Sequence, residues 1–118
     1  MSQIGDFIMF KDGTSINGVV DVAVFTIKTK YGPLRVPKKD IEAIHYTHPP
    51  QFTADEMQLG AGTRLEGDIL PNIVPIRPEG LNQTLRVPKA DLLSLVFFMS
   101  SKRAVSKATM KHLQKLNR

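Results

Sequence analysis

The pentad Leu34-Arg35-Val36-Pro37-Lys38 returns letter for letter as Leu85-Arg86-Val87-Pro88-Lys89, an offset of 51 (85 − 34). Its surroundings return with it. Gly13-Thr14-Ser15-Ile16-Asn17-Gly18 matches Gly62-Thr63-Arg64-Leu65-Glu66-Gly67 at an offset of 49 (62 − 13), and Asp40-Ile41-Glu42-Ala43-Ile44 matches Asp91-Leu92-Leu93-Ser94-Leu95 at 51 (91 − 40). Three blocks at nearly one spacing make the chain a duplication, and a repeat constrains the fold more than any local propensity. A unit of about 40 to 50 residues holds an isolated core only marginally, so the two copies within 118 residues are expected to share one.

Each copy reads as five short strands. Residues Asp6 to Lys11 run into Asp12-Gly13, a dipeptide suited to a tight hairpin. Ser15 to Val22 places Ile16, Gly18, Val20 and Val22 on one face, and Gly18 admits a sharp bend or a close neighbour. Val24 to Lys30 alternates with Phe25, Ile27 and Thr29 opposite Val24, Thr26 and Lys28; Tyr31-Gly32 turns the chain into Leu34-Arg35-Val36. Pro37 cannot donate to a ladder, so Lys38-Lys39-Asp40 should form one turn of tight helix before Ile41 to Tyr46. In the second copy Pro71, Pro75 and Pro78 predict an edge strand or extended loop where the first copy has a strand, and Leu92 to Met99 is apolar enough to be buried on both faces. Such a strand is where the copies could join, with Phe97 in the core.

The pattern Gly-x-x-hydrophobic-x-Gly, strand, turn, Leu-Arg, then Ile-x-x-Ile resembles the Sm-like family of small barrels, which bind RNA as rings. Gly13, Ile16, Gly18, Val20, Leu34, Arg35, Ile41 and Ile44 fall on it, as do Gly62, Leu65, Gly67, Ile69, Leu85, Arg86, Leu92 and Leu95. The resemblance implies an SH3-like barrel. It does not carry over the family's base pocket, because no Asn follows Asp21 at the required spacing, Asn72 has no Asp partner, and Val36 and Val87 stand where that family has Gly.

The net charge of +5 is a property of one segment. Residues 100–118 hold Lys102, Arg103, Lys107, Lys111, Lys115 and Arg118 with no acid, so the ten remaining cations face eleven acids and residues 1–99 carry −1. Arg103, Lys107, Lys111 and Lys115 recur every four residues, with Val105, Ala108, Leu113 and Leu116 on the other side of a helical wheel. A basic amphipathic helix of this kind could contact nucleic-acid phosphates, an anionic membrane or an acidic protein, or it could pack its leucines on the barrels and leave its lysines in water. Arg35 and Arg86 are the most suggestive of the repeated polar residues: either they clamp one anionic ligand across a pseudo-twofold axis, or each pairs with Asp40 or Asp91 in its own copy.

Little points to catalysis. His45, His48 and His112 lack metal-site spacing, and the acid pairs Asp55-Glu56 and Glu66/Asp68 read as solvated. No apolar run spans a bilayer and no basic-then-apolar leader opens the sequence, while the lack of cysteine fits a reducing compartment. The expected organisation is all-β, two tandem five-stranded SH3/Sm-like barrels over residues 1–48 and 57–99, a connector over 49–56 in which Thr53 and Glu56 have the capping-box spacing of a brief helical turn, and a basic helix over 100–118. The expected function is that of a cytoplasmic, non-catalytic adaptor or scaffold that binds a protein or itself, with no cofactor, metal or small-molecule substrate. The alternative is an RNA- or DNA-binding protein that uses the Sm-like barrels and the basic helix with Arg103, Lys107, Lys111, Lys115 and Arg118.

Overall fold

A computed structural model describes residues 5–48 and 54–97. They form ten strands: β1 (Asp6–Phe10), β2 (Ser15–Val20), β3 (Val24–Thr29), β4 (Gly32–Pro37), β5 (Ile41–His45), β6 (Asp55–Leu59), β7 (Arg64–Leu70), β8 (Ile73–Pro78), β9 (Leu85–Pro88) and β10 (Leu92–Phe97). Single 3-10 turns at Lys38–Asp40 and Lys89–Asp91 follow the two copies of the pentad, as Pro37 and Pro88 predict. The expected basic helix, with Arg103, Lys107, Lys111, Lys115 and Arg118, lies outside the described residues.

The strands make one curled antiparallel sheet in the order β4-β3-β7-β6-β5-β10-β1-β2-β8-β9. Exchanging β1 to β5 with β6 to β10 and reading the order backwards returns the same order. The duplication is therefore a pseudo-twofold of the fold, and the ladders ignore the boundary between copies. Within a copy the pairs are the local hairpins β1-β2, β3-β4, β6-β7 and β8-β9; β2 pairs with β8, β3 with β7, β1 with β10, β5 with β6 and β5 with β10. Within Asp21–Ala23, between β2 and β3, and within Pro71–Asn72, between β7 and β8, the chain passes from one half of the strand order to the other.

The crossing explains the repeated glycines. A Cβ on Gly18 would stand 2.4 Å from the Arg77 carbonyl oxygen, and one on Gly67 would stand 2.3 Å from that of Lys28. Both contacts are with backbone of the other copy, at the start of the β2-β8 and β7-β3 ladders. Of the two roles foreseen for these glycines, the close neighbour is the one found.

β8 corrects an expectation. It is neither an edge strand nor a loop, because β2 and β9 pair with it on either side. Its prolines are placed where they cost few bonds: Pro71 precedes the strand and Pro78 ends it. Pro75 faces Asp21, whose N–H donates to the Pro75 carbonyl at 2.9 Å while the return bond is not available. β6 also begins at Asp55, two residues before the expected start of the second copy.

One cluster of buried residues draws on both copies, including Ile8, Phe25, Ile27, Ile41 and Ile44 with Met57, Ile69, Ile76, Leu92 and Leu95. Each such side chain contributes about 1.5–3 kcal/mol by leaving water, and the shared core foreseen from repeat size is what collects that energy. Phe97 is buried in it, its ring 5.7 Å from that of Phe25 of the other copy and tilted by 33°.

Candidate functional site

The described residues form a pair of equivalent lysine clamps. Asp6, at the start of β1, accepts the Val20 N–H at 2.7 Å and the Lys38 ammonium at 2.7 Å, and the same ammonium donates to the Val20 carbonyl at 2.9 Å. In the second copy Asp55 accepts the Ile69 N–H at 3.2 Å and the Lys89 ammonium at 3.1 Å, and Lys89 donates to the Ile69 carbonyl at 2.8 Å. Lys89 adds Asp68 at 2.6 Å. Burial works against the Lys89 charge, but the hydrogen bonds to Asp68 and Asp55 outweigh it and hold the ammonium above the ordinary lysine range. Lys38 also lies 5.3 Å from the centre of the Phe97 ring.

These contacts revise the reading of the acids. Asp55 is buried rather than solvated, and Glu56 pairs with Arg64 at 3.1 Å. The clamps were legible in principle, since Asp6 and Asp55 stand at the repeat offset of 49 (55 − 6) and Lys38 and Lys89 close the repeated pentad. Because every bond in them is internal, the clamps are structural. They explain the last letter of the pentad.

Arg35 and Arg86 are exposed on β4 and β9, the two ends of the strand order, opposite Thr26 and Pro75. Neither forms an ion pair among the described residues. The backbone carbonyls of Asp40 and Asp91 accept the N–H groups of Gly60 and Lys11 at 3.1 and 2.9 Å. The ring of His48 bonds through Nε2 to the Leu92 carbonyl. Among the described residues no group of three or more His, Cys, Asp or Glu is arranged to hold a metal, and no helix is long and apolar enough to cross a membrane.

The feature that composition and motif did not reveal is an open groove of about 700 Å³ between the β3-β4 hairpin and the beginning of β7. Tyr31, Pro33, Leu34 and Leu65 give it apolar walls, and Lys30, Arg64 and Glu66 are its charged lining residues. Tyr31 is 88% exposed and Leu34 46%. The Lys30 ammonium lies 5.2 Å from the centre of the Tyr31 ring and makes no ion pair among the described residues. At the offset of 49, Lys30 and Tyr31 correspond to Glu79 and Gly80, in a longer hairpin over residues 79–84 whose Glu79 N–H bonds the Asn17 carbonyl at 2.9 Å. The groove thus breaks the symmetry that the core obeys. Residues peculiar to one copy are not demanded by the shared fold, which makes them the better candidates for a task of their own.

The edge beside the groove is closed to strand addition. The Lys38 N–H bonds the Ala23 carbonyl at 2.9 Å, and antiparallel alternation then turns the nitrogens of Pro33, Arg35 and Pro37 outward. Two of those three have no hydrogen, so the free edge of β4 offers a single donor, a device that blocks edge-to-edge pairing.

No family model matches the chain, and no curated protein or solved structure matches it either.

Proposed function

We propose that the chain is a non-catalytic protein-docking module. Its sheet is read as two SH3/Sm-like five-stranded barrels, each combining the first two strands of one copy with the last three of the other: β1-β2-β8-β9-β10 and β6-β7-β3-β4-β5. The groove beside Tyr31 is its docking site. The occupant is an extended segment of a partner protein carrying one large apolar side chain and one carboxylate. The apolar group packs against Tyr31, Leu34 and Leu65, while the carboxylate meets Lys30, which makes no ion pair among the described residues. Recognition uses side chains, because the prolines of β4 deny a partner the ladder bonds of strand addition. The exposure of Tyr31 and Leu34 in the wall of a groove is the observation that carries this reading.

Selection from a displayed peptide library tests it. Bound peptides should share an apolar residue near an acid, and Tyr31→Ala or Leu34→Glu should weaken them at least tenfold, since each removes wall area without touching the core. Peptides that bind both variants as well as the parent would place docking elsewhere.

A second reading rests on the six cations and no acid of residues 100–118. It makes the chain a nucleic-acid binder whose affinity falls steeply with salt. Changing Lys107, Lys111 and Lys115 to Gln should flatten that salt dependence; parent protein that fails to bind RNA or DNA at low salt removes this reading.

A further inference from the structure

The surfaces that join the two copies are self-complementary. Five of the nine strand ladders run between copies, and the four that do not are local hairpins. Ile44 pairs with its own equivalent, Leu95, so what one copy presents there the other presents as well. Covalent linkage between the copies runs only through the residues between His45 and Asp55. Nothing in the ladders distinguishes a second copy on the same chain from one on another chain.

We infer that this protein forms a repeat-exchanged dimer with a second copy of itself, in which residues 5–48 of each chain pair with residues 54–97 of the other. Every ladder, both lysine clamps and the Gly18 and Gly67 contacts persist in the exchanged form, because each clamp lies within one copy and each exchanged ladder has the same partner sequence. The groove is affected in a specific way: Thr29 to Leu34 come from one chain and Arg64 to Gly67 from the other, so each docking site of the dimer is composite and the dimer carries two of them. A bivalent module follows, able to hold two partner segments at once.

The linked copy acts at an effective concentration on the order of mM for a short connector, which sets the condition under which a second chain competes. Cysteine is otherwise lacking in the chain, so a single engineered pair reports the connectivity. Val19 and Arg77 are exposed and directly opposed between β2 and β8, with the spacing of a cross-strand disulfide. Val19→Cys/Arg77→Cys protein is refolded at about 10 μM and about 1 mM, oxidised, and separated by gel filtration. The expected result is a dimer peak that grows with refolding concentration and that runs on a denaturing, non-reducing gel at twice the chain mass, beside a monomer peak that runs at the single mass. The counterpart pair, Lys28→Cys/Asp68→Cys on β3 and β7, should give the same pattern and guards against a local failure of the first. Monomer at both concentrations overturns the inference, and so does a dimer whose chains separate in denaturant with their disulfides closed internally. Peptide binding is read on the monomer peak, so loss of the docking reading and loss of the exchange are separate outcomes.

Discussion

Ile44 on β5 and Leu95 on β10 are equivalent residues of the two copies, and they are paired with each other in the sheet. Both are fully buried. A residue can meet its own equivalent only on the pseudo-twofold, so this pair marks the axis about which the shared core is built.

The interior should fail most sharply where the two copies meet through large side chains. Phe97→Ala removes a ring that packs on Phe25 and lies beside the Lys38 ammonium. The expected loss is about 3–5 kcal/mol in urea unfolding. A change below roughly 1 kcal/mol would show that β10 does not seal the core.

The crossing glycines make a steric prediction. Gly18→Val and Gly67→Val each drive a branched side chain into a carbonyl less than 3 Å away, so both variants should melt well below the parent. Two unchanged melting curves would mean that the β2-β8 and β7-β3 backbones do not approach as described.

The lysine clamps predict a penalty for removing one partner. Lys38→Met leaves Asp6 buried with its charge uncompensated, and Lys89→Met does the same to Asp55. Each should cost about 1–3 kcal/mol at neutral pH. Asp6→Asn in the Lys38→Met background should recover part of the loss, because an amide needs no counter-ion. If both single variants unfold within about 0.5 kcal/mol of the parent, the clamps behave as ordinary surface pairs.

Alkaline pH should weaken the fold through two groups. Burial, reinforced by the Asp55 carboxylate, pushes the Tyr46 hydroxyl far above its ordinary range, and Lys89 is held above its own. In the unfolded chain both groups lose their protons near pH 10. The folded state keeps them, so above about pH 10 the unfolded state binds fewer protons and stability falls as pH rises. Tyr46→Phe removes one of the two contributions, and its alkaline transition should begin at higher pH; coincident transitions would assign the loss to other groups.

Much of this architecture is written in the sequence as periodicity. The hairpin at Asp12-Gly13, the tight turn after Pro37 and the buried positions Phe25, Ile27 and Phe97 follow from alternation and from what proline and glycine permit. Alternation tells which face of a strand is buried; it does not tell which strand lies beside it. That is why the partners of β2 and β3 were not legible, although Gly18 and Gly67 mark the places where they meet. The prolines of β8 misled for a related reason, since what a proline costs depends on which neighbour its nitrogen faces. Asp55 looked solvated because its lysine stands 34 residues away (89 − 55). The groove was hidden for the opposite reason: it is built where the copies differ, and repetition directs attention to what they share.

The groove and the exchange both depend on one claim, that β2 and β3 of a copy pair with strands of the other copy. Val20 opposes Ile76, and Ile27 opposes Ile69. Both are non-hydrogen-bonded pairs, in which Hα protons approach most closely. Nuclear Overhauser contacts between the Hα protons of these four residues in the monomer measure the pairing directly. The account predicts strong Val20–Ile76 and Ile27–Ile69 contacts; contacts that instead join β2 to β3 and β7 to β8 would contradict it.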